Sequence, residues 1–306
     1  MEEDFQTILI TGGLGQIGYH AYSELKSKYN VILLDDQSSP KIAPPEDTVF
    51  IQGKIQDNQT YNNIPDIDFI LHCAAQIDIN KSVENPFFDA NVNILGTIKL
   101  LEFAKKKNVE SFIYVSSAAT YGQPQFLPIT EDHPKNPVSP YGLSKHAAER
   151  YVLLYSQLYN LKTSVILPFN IYSSLLKEDD PYSGVINKFI LKVKNNESPM
   201  IEGDGKQTRD FIHAIDVVKA IELILEKEEA SGKIFNIGTG IPTTILKLSE
   251  LIISISKKDL SPIFVEPRMG DIRNSYASIE LAKKILGFSP SIKLEKGLKE
   301  IYYETP

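Results

Sequence analysis

A tyrosine and a lysine four positions apart carry the clearest chemical signal in the chain. Tyr141 and Lys145 have the spacing that brings two side chains to one face of a helix. An unperturbed tyrosine, with a pKa of about 10, is a poor base at neutral pH, and a neighbouring ammonium lowers that pKa because it favours the phenolate. The pair could therefore remove a hydroxyl proton. Because the chain has 15 tyrosines, the spacing alone does not identify a site.

Two serines upstream strengthen this interpretation. Ser116 and Ser117 directly follow the apolar run Phe112–Val115. The carboxyl ends of parallel strands deliver side chains to the ligand crevice of an α/β sheet. A hydroxyl there can orient a substrate hydroxyl and relay its proton. We expect Ser117 to do so, whereas Ser116 could equally be a simple cap of the strand end.

Three glycines near the N-terminus predict a phosphate-binding turn. Gly12, Gly15 and Gly18 form G-x-x-G-x-x-G between the apolar run Thr7–Ile10 and a helix-like segment. Turn glycines let backbone N–H groups approach a pyrophosphate, and the N-terminus of the following helix favours its negative charge. The strand–turn–helix context makes this pattern more specific than glycines alone.

The second apolar run indicates which dinucleotide binds. Val31–Leu34 ends in Asp35 and Asp36, and an acid at this point can accept hydrogen bonds from the adenosine ribose. A 2′-phosphate would meet two carboxylates there, so NAD is favoured over NADP. The nicotinamide could then take a hydride from the carbon whose hydroxyl Tyr141 deprotonates.

The elements that must position these residues alternate between strands and helices. Strands that are apolar on both faces and alternate with helices predict a parallel, doubly wound sheet. We therefore predict an α/β fold, a doubly wound parallel sheet (Rossmann) with a second, smaller α/β substrate domain. The predicted strands are Thr7–Ile10, Val31–Leu34, Phe69–Leu71, Phe112–Val115 and Val165–Leu167, and the predicted helices are Ile17–Tyr29, Asn93–Asn108 and Ser144–Asn160.

The second half is less regular and predicts the smaller domain. Short strands at Phe235–Ile237 and Ile263–Val265 are mixed with helices at Ala214–Lys227 and Thr244–Ser256. We expect an NAD-binding domain of residues 1–166 with returning segments at about 212–237. The substrate domain would comprise residues 167–211 and 238–306.

Composition excludes several classes of protein. The net charge of −7 over 306 residues argues against broad binding of nucleic acid, which needs a basic face. The single cysteine, Cys73, rules out an intrachain disulfide and a cysteine-based zinc site, and we predict no metal. The sequence has neither the basic and apolar regions of a signal peptide nor a run of about 18 apolar residues that could span a membrane. We expect a soluble, cytoplasmic protein.

Several motifs, in family order, resemble the extended short-chain dehydrogenase/reductase family. Two further segments, Gly203–His213 and Arg268–Asp271, resemble those of enzymes similar to UDP-glucose 4-epimerase, the NAD-dependent epimerases and dehydratases. The resemblance covers nearly the whole chain. The motifs are Thr11–Gly18, His72-Cys73-Ala74-Ala75, Asn93-Ile94-Leu95-Gly96-Thr97, Ser116–Gly122 and Tyr141-x-x-x-Lys145.

The resemblance implies a role for each matching residue. It makes Ser117, Tyr141 and Lys145 catalytic, and it makes the substrate domain a nucleotide-sugar-binding domain. Its implied cofactor-binding residues are Gly12, Gly15, Gln16, Ile17, Gly18, Asp35, Asp36, Lys54, Ile55, Cys73, Ala74, Ala75, Asn93, Val115, Tyr141, Lys145 and Pro168. Its implied substrate-binding residues are Ser82, Ser117, Asn170, Arg209, Arg268, Asp271 and Ser275, with the two arginines on the diphosphate.

Two departures from the family pattern bear on the site. Gly53-Lys54-Ile55 stands where the family often has Gly-Asp-Ile, so the usual acidic contact to the adenine amino group is missing. Pro168 and Ser173-Ser174 replace the arginine and the Gly-Pro of relatives, which leaves the shape of the loop after Asn170 open.

The segment after the catalytic hydroxyl favours one reaction. Dehydratases of this kind carry an Asp-Glu pair there and decarboxylases a glutamate, whereas this chain has Ala118-Ala119. Alanine can neither donate nor accept a proton. We expect a 4-epimerase of a UDP-sugar that passes through a 4-keto intermediate. A reductase or dehydrogenase of another small substrate and a catalytically silent NAD-binding regulator remain open.

The resemblance also suggests substrate size and assembly. Ser275 stands where some relatives place a bulky tyrosine, so we expect room for an N-acetyl group at C2. The segments Asn93–Asn108 and Ser144–Asn160 match the helices that pair across the dimer in relatives. A homodimer follows, although both helices could equally pack only within their own subunit.

Overall fold

A seven-stranded parallel sheet forms the centre of the molecule. The computed structural model describes residues 5–38, 42–175, 184–267, 270 and 272–304. The strands are β1 (Thr7–Thr11), β2 (Asn30–Asp35), β3 (Val49–Gln52), β4 (Phe69–His72), β5 (Ser111–Val115), β6 (Lys162–Pro168), β7 (Asn170–Tyr172), β8 (Met200–Glu202), β9 (Thr208–Arg209), β10 (Phe211–His213), β11 (Lys233–Ile237), β12 (Thr243–Thr244) and β13 (Ile263–Val265). The order across the central sheet is β3-β2-β1-β4-β5-β6-β11, with every pair parallel.

Helices cover both faces of this sheet, as a doubly wound fold requires. The α-helices are α1 (Gln16–Leu25), α2 (Ile79–Glu84), α3 (Pro86–Ala90), α4 (Thr97–Lys107), α5 (Pro140–Tyr159), α6 (Val185–Lys194), α7 (Ala214–Leu225), α8 (Ile245–Ser256), α9 (Glu280–Leu286) and α10 (Leu294–Glu304). Short 3-10 helices occur at Asn58–Asn63, Ala118–Thr120 and Glu228–Ala230, and a π-helix at Asn91–Gly96.

Alternation along each strand builds two cores. Leu9 points to the face that α4 and α5 cover, whereas its neighbours Ile8 and Ile10 point to the face that α1 and α7 cover. Successive side chains of a strand alternate between faces, so a strand covered on both sides must be apolar throughout. The predicted doubly wound α/β sheet is confirmed.

Some predicted element boundaries were wrong. The strand β3 was not predicted, and the helix predicted from Ser144 begins at Pro140. Proline is favoured in the first helical turn, and Ser139 caps the helix by accepting a hydrogen bond from the Gly142 N–H. Tyr141 therefore lies in the first turn of α5. The segment predicted as one helix from Asn93 is a π-helix followed by α4.

A third apolar cluster lies beside the sheet and includes side chains from α6, α8 and α10. The small strand pairs β7–β10 and β8–β13 belong to the same half of the chain. Residues 277–288, which the sequence places in the substrate domain, contribute Ala277, Ala282 and Phe288 to the two cores of the central sheet. The division into a cofactor domain and a substrate domain stays a prediction.

Candidate active site

A cleft of about 380 Å³ opens at the carboxyl ends of the central strands. It lies where the strand order reverses between β1 and β4, the position at which doubly wound sheets bind ligands. Seventeen predicted site residues line it: Gly12, Gly15, Gln16, Ile17, Gly18, Asp35, Asp36, Lys54, Ile55, Cys73, Ala74, Ala75, Val115, Ser117, Tyr141, Lys145 and Pro168.

The turn between β1 and α1 has no room for side chains. Gly12 has φ of +67°, and a Cβ there would lie 2.6 Å from the backbone nitrogen of Ala74. A Cβ at Gly18 would lie 2.2 Å from the carbonyl oxygen of Gly12. The first-turn N–H groups of α1 have no carbonyl acceptor within the helix, so they suit an anion. This bare turn fits the pyrophosphate of a dinucleotide.

Asp35 lies at the carboxyl end of β2 and lines the cleft. Its Oδ2 accepts a hydrogen bond from the Leu14 N–H at 3.1 Å and its Oδ1 accepts one from the Gln37 N–H at 2.8 Å. A carboxylate has about four acceptor positions, so capacity remains for ribose hydroxyls. Burial raises the pKa of Asp35, and the two N–H bonds act against that rise. The free acceptor positions of this carboxylate fit the hydroxyls of the ribose of NAD.

Ser117, Tyr141 and Lys145 lie together at the other end of the cleft. The ammonium of Lys145 donates a hydrogen bond to the carbonyl of Val115 at 2.7 Å. It also lies 4.3 Å from the ring centroid of Tyr114. The Ser117 side chain lies close enough to the Tyr141 hydroxyl to lower its pKa. A hydroxyl, a phenol and an ammonium thus line the same end of the cleft.

The expected lowering of the Tyr141 pKa by Lys145 is wrong. Burial raises the pKa of Tyr141, the hydrogen bond with Ser117 lowers it, and the charge of Asp89 raises it further. Burial also lowers the pKa of Lys145 to about 8. The spacing predicts that the two side chains are neighbours but not how deeply they are buried, and burial disfavours the charged form of each.

Asn93 does not line the cleft but braces it. Its Oδ1 accepts from the Gln76 N–H at 2.8 Å, and its Nδ2 donates to Asp89 at 3.1 Å and to Ser144 at 3.0 Å. Gln76 lines the cleft, so Asn93 supports the cofactor site from behind. The π-helix that carries Asn93 gives it this inward position.

Ser82, a predicted substrate-binding residue, also lies behind the cleft wall and not in its lining. It is fully buried, and its hydroxyl accepts from the Tyr141 N–H at 3.1 Å. It thereby fixes the first turn of α5, which carries the phenol.

Three other predicted substrate residues, Asn170, Arg209 and Ser275, lie outside the cleft lining. Asn170 is exposed on β7, and its N–H donates to the Asp210 carbonyl at 3.0 Å. Arg209 donates to the carbonyls of Thr208 and Ile272, and the Ser275 N–H also donates to Thr208, at 3.1 Å. Two predictions, Arg268 and Asp271, fall outside the described residues.

Sequence reasoning missed part of the cleft wall. The segment after β4 contributes Gln76, Ile77, Lys81, Phe88 and Val92. The ammonium of Lys81 lies 5.0 Å from the ring centroid of Phe88. Position after a strand end was the available signal. The other missed lining residues are Leu14, Leu34, Ser38, Gly53, Gln56, Ser116, Phe169 and Ile171.

The described residues offer neither a site for a metal ion nor a helix that could span a membrane. No group of three or more His, Cys, Asp or Glu side chains among them could hold a metal ion. None of the helices in this part of the chain is long and apolar enough to cross a membrane.

Known proteins share both the sequence pattern and the fold. The model of the NAD dependent epimerase/dehydratase family matches residues 8–238. A UDP-glucose 4-epimerase of Mycolicibacterium smegmatis is 34% identical over 302 residues, which cover 95% of each chain. The structure of the UDP-glucose 4-epimerase of Thermotoga maritima with UDP-glucose has a TM-score of 0.91 and 35% identity over 97% of each chain. That of the UDP-N-acetylglucosamine 4-epimerase of Methanobrevibacter ruminantium M1 with UDP-N-acetylmuramic acid has a TM-score of 0.92 and 32% identity over 98% of each chain.

Proposed function

The chain belongs to the NAD-dependent epimerase/dehydratase family, and from this premise we propose that it is an NAD-dependent 4-epimerase of a UDP-sugar. The substrates would be UDP-glucose and UDP-galactose, with their N-acetylhexosamine counterparts accepted alongside. The alternative is a reductase, dehydrogenase or dehydratase of the same superfamily acting on a nucleotide sugar.

The cofactor is NAD, which accepts a hydride from a sugar carbon and returns it when bound. The bare turn at Gly12 and Gly18 would receive its pyrophosphate, and Asp35 its adenosine ribose. Lys145 would bond the nicotinamide ribose. These assignments rest on the cleft lining and on the chemistry of the groups present.

The catalytic end would deprotonate and reprotonate one hydroxyl. Tyr141 would take the proton of the C4 hydroxyl while the C4 hydride leaves, and the sugar becomes a 4-ketone. Ser117 would orient that hydroxyl through its own bond with Tyr141. After the ketone turns over in the cleft, Tyr141 would return the proton to O4 as the hydride adds to the opposite face. Nothing is consumed, because each proton and hydride that leaves comes back.

One observation carries the choice of epimerisation. Within the described part of the chain, the only carboxylates that line the cleft are Asp35 and Asp36, at the adenosine end. Ser117 is followed by Ala118 and Ala119, which form a short 3-10 helix. Loss of water across C5 and C6 needs an acid and a base beside the sugar, whereas epimerisation needs a single base. The lining of the cleft therefore supports epimerisation and not loss of water.

The small side chain at position 275 supports a broad substrate range. Ser275 lies close to Arg209, because the Ser275 N–H and the Arg209 guanidinium both donate hydrogen bonds to the carbonyl of Thr208. We propose that Arg209, Arg268, Asn170 and Asp271 hold the nucleotide diphosphate. Ser275 would then leave space for an N-acetyl group at C2.

We also propose a homodimer formed through α5 and the segment before α4. Leu143, Leu154 and Leu158 of α5 are 58%, 40% and 61% exposed, and they lie on the helix face opposite the cleft. Leu95 of the neighbouring π-helix is 50% exposed. Exposed leucines in one stripe are typical of a helix that packs against another chain.

Product analysis tests the reaction. The purified protein is incubated separately with UDP-Glc, UDP-Gal, UDP-GlcNAc and UDP-GalNAc, and the products are separated by chromatography. We expect each sugar to convert to its C4 epimer, with Tyr141→Phe inactive. Stoichiometric release of NADH would favour a dehydrogenase, and a 4-keto-6-deoxy product would favour a dehydratase. If none of the four sugars changes, the proposal is wrong.

A further inference from the structure

Glu149 is a buried carboxylate that the reaction scheme leaves unused. Its side chain is 0% exposed. It lies on α5 one turn after Lys145 and two turns after Tyr141. Residues four apart in a helix share a face, so all three side chains point towards the end of β5. Burial of a charge at this depth costs free energy unless the charge is paired and hydrogen-bonded.

Three turns of α5 contact three consecutive residues at the end of β5. The Ser116 hydroxyl donates a hydrogen bond to a Glu149 carboxylate oxygen at 2.5 Å. The contacts are Ser117 with Tyr141, Val115 with Lys145, and Ser116 with Glu149. Residues 115 and 116 therefore cannot move away from α5 without breaking the hydrogen bonds to Lys145 and Glu149.

Two further groups hold the Glu149 carboxylate in place. Lys135, which is 9% exposed, forms an ion pair with it, and His146 lies 3.2 Å from the same oxygen. Burial raises the pKa of Glu149, but hydrogen bonds from His146, Lys135 and Ser116 outweigh it and leave the pKa below its usual value. The carboxylate is thus ionised at neutral pH.

We propose that Glu149 is a positioning residue for the reaction: through Ser116 it holds residues 115–117 against α5, and its charge keeps the ammonium of Lys145 protonated. The effect on turnover rests on the proposed function. The effect on Lys145 does not, because it follows from charges within the protein.

The groups that face Lys145 leave few sources of negative charge. Cys73, Glu149 and Asp89 favour the charged ammonium, against the burial that lowers its pKa to about 8. Burial raises the pKa of Cys73 to about 12 and lowers the pKa of His72 to about 3, so both are neutral near pH 8. The two carboxylates therefore provide the opposing charge.

The groups that face Glu149 are of two kinds. Lys135 forms an ion pair with its carboxylate, and His146 lies within hydrogen-bond distance of it. Tyr114 and Tyr121 lie close enough for its charge to raise their pKa values, after burial as the main cause, so both phenols stay neutral. Among the groups of this cluster with a shifted pKa, Lys145 is therefore the one that titrates between about pH 7 and 9.

The test replaces Glu149 by glutamine. Glu149→Gln keeps the size and the acceptor for Ser116 but removes the charge. The Lys145 ammonium is titrated by NMR of labelled lysine side chains, with Lys145→Met to assign its signal. Because a nearby opposite charge changes a pKa by about 1–3 units, we expect the Lys145 pKa to fall by about one unit. Glu131→Gln, a partly buried carboxylate away from the cleft, is the matched control and should leave the titration unchanged.

Turnover gives the second measurement. At a pH above the Lys145 pKa of both the wild type and the variant, a pKa one unit lower makes the charged fraction of Lys145 tenfold smaller. At that pH, kcat of Glu149→Gln should therefore be about tenfold lower than that of the wild type. KM should stay within about twofold, because the charge does not touch substrate. The alkaline limb of the kcat profile should move to lower pH. An unchanged Lys145 titration together with an unchanged kcat profile would overturn the proposal.

Ser116→Ala guards against a variant that does not fold. It breaks the contact between Glu149 and the strand end while the charge stays. We expect a lower kcat with KM and the Lys145 titration unchanged, and a wild-type kcat would refute the positioning role. If the wild-type protein converts no UDP-sugar, the proposed function fails, but the NMR titration still decides whether Glu149 keeps Lys145 protonated.

Discussion

The ammonium of Lys145 is bonded to the carbonyl of Val115, two residues before Ser117, whose hydroxyl we propose to be catalytic. One strand end therefore positions two of the three groups that the proposed reaction needs, while α5 supplies the third, Tyr141. A displacement of this strand end would move the hydroxyl and the ammonium together.

Loss of the Ser117 hydroxyl should change both the rate and its pH dependence. In Ser117→Ala, we expect kcat to fall by about 10²-fold, since a positioned proton-transfer partner contributes on that order. The bond from Ser117 lowers the pKa of Tyr141, so its loss raises that pKa. The base works when deprotonated, and the rising limb of the kcat profile should therefore move to higher pH. A slower variant whose profile keeps the wild-type shape would contradict this role.

Replacing Lys145 should stabilise the fold while it abolishes activity. Its pKa is about 8 in the folded protein against 10.5 for an ordinary lysine. Between these values the unfolded chain binds more protons, so this group makes stability rise with pH, and below about pH 8 its full cost is present. Lys145→Met removes that cost and one hydrogen bond, and we expect a gain of about 2 kcal/mol at pH 7.

Urea unfolding at pH 7 and at a pH well above 10.5 measures this gain. The gain should disappear at the higher pH, where the lysine is neutral in both the folded and the unfolded state. Lys284→Met, at an exposed position on α9, is the control and should show no such difference. A destabilised Lys145→Met at neutral pH would mean that the hydrogen bond outweighs the burial.

A single methyl group at Gly18 should prevent cofactor binding. Its Cβ would lie 2.2 Å from the Gly12 carbonyl oxygen, so the turn must shift. We expect Gly18→Ala to lose at least about 2 kcal/mol of stability and to weaken NAD binding measured by calorimetry. A Cβ at Gly184 meets nothing within 4 Å, and Gly184→Ala should bind NAD normally. Equal affinities in the two variants would refute the proposed phosphate turn.

Charges on the exposed stripe of α5 should separate the proposed dimer. The double variant Leu154→Arg and Leu158→Arg places two cations where an apolar contact would form. We expect light scattering to give a dimer for the wild type and a monomer for this variant. Ile241→Arg changes an equally exposed apolar residue elsewhere and should stay dimeric. A monomeric wild type would end the proposal.

A bulky residue at position 275 should narrow the substrate range. If Ser275 leaves space for an N-acetyl group, Ser275→Tyr fills it. We expect kcat/KM for UDP-GlcNAc to fall by at least about tenfold while that for UDP-Glc changes little, since a clash costs on the order of 1–3 kcal/mol. Ser275→Ala keeps the space and serves as the control. An unchanged ratio between the two substrates would contradict the hypothesis.

The sequence predicted the central sheet because its strands are apolar on both faces, a pattern that few other structures share. It did not predict β3, whose four residues include an exposed Val49. The π-helix before α4 also escaped prediction, since its apolar residues fit the period of an ordinary α-helix. This π-helix is tied to distant segments by hydrogen bonds such as that between Asn93 and Gln76.

The candidate site was predictable where a local motif determines geometry and not where depth does. The glycine turn and Asp35 follow one another along two adjacent strands, and the structure brings them to one cleft. The environment of Tyr141 was misjudged because proximity to Lys145 can be inferred from spacing, whereas burial cannot. Glu149 gave no signal at all, because its partners Ser116 and Lys135 come from other segments.

The outer edge of β6 has a consequence for how the protein is made. Its partner is β11, which lies 65 residues further along the chain, after the whole of β7 to β10 and α6 and α7. During synthesis on the ribosome, one edge of Lys162–Pro168 has no strand to pair with until Lys233–Ile237 emerges. A nascent or truncated chain that ends before Ile237 leaves β6 as an edge strand with unpaired N–H and C=O groups. Such fragments should aggregate rather than fold.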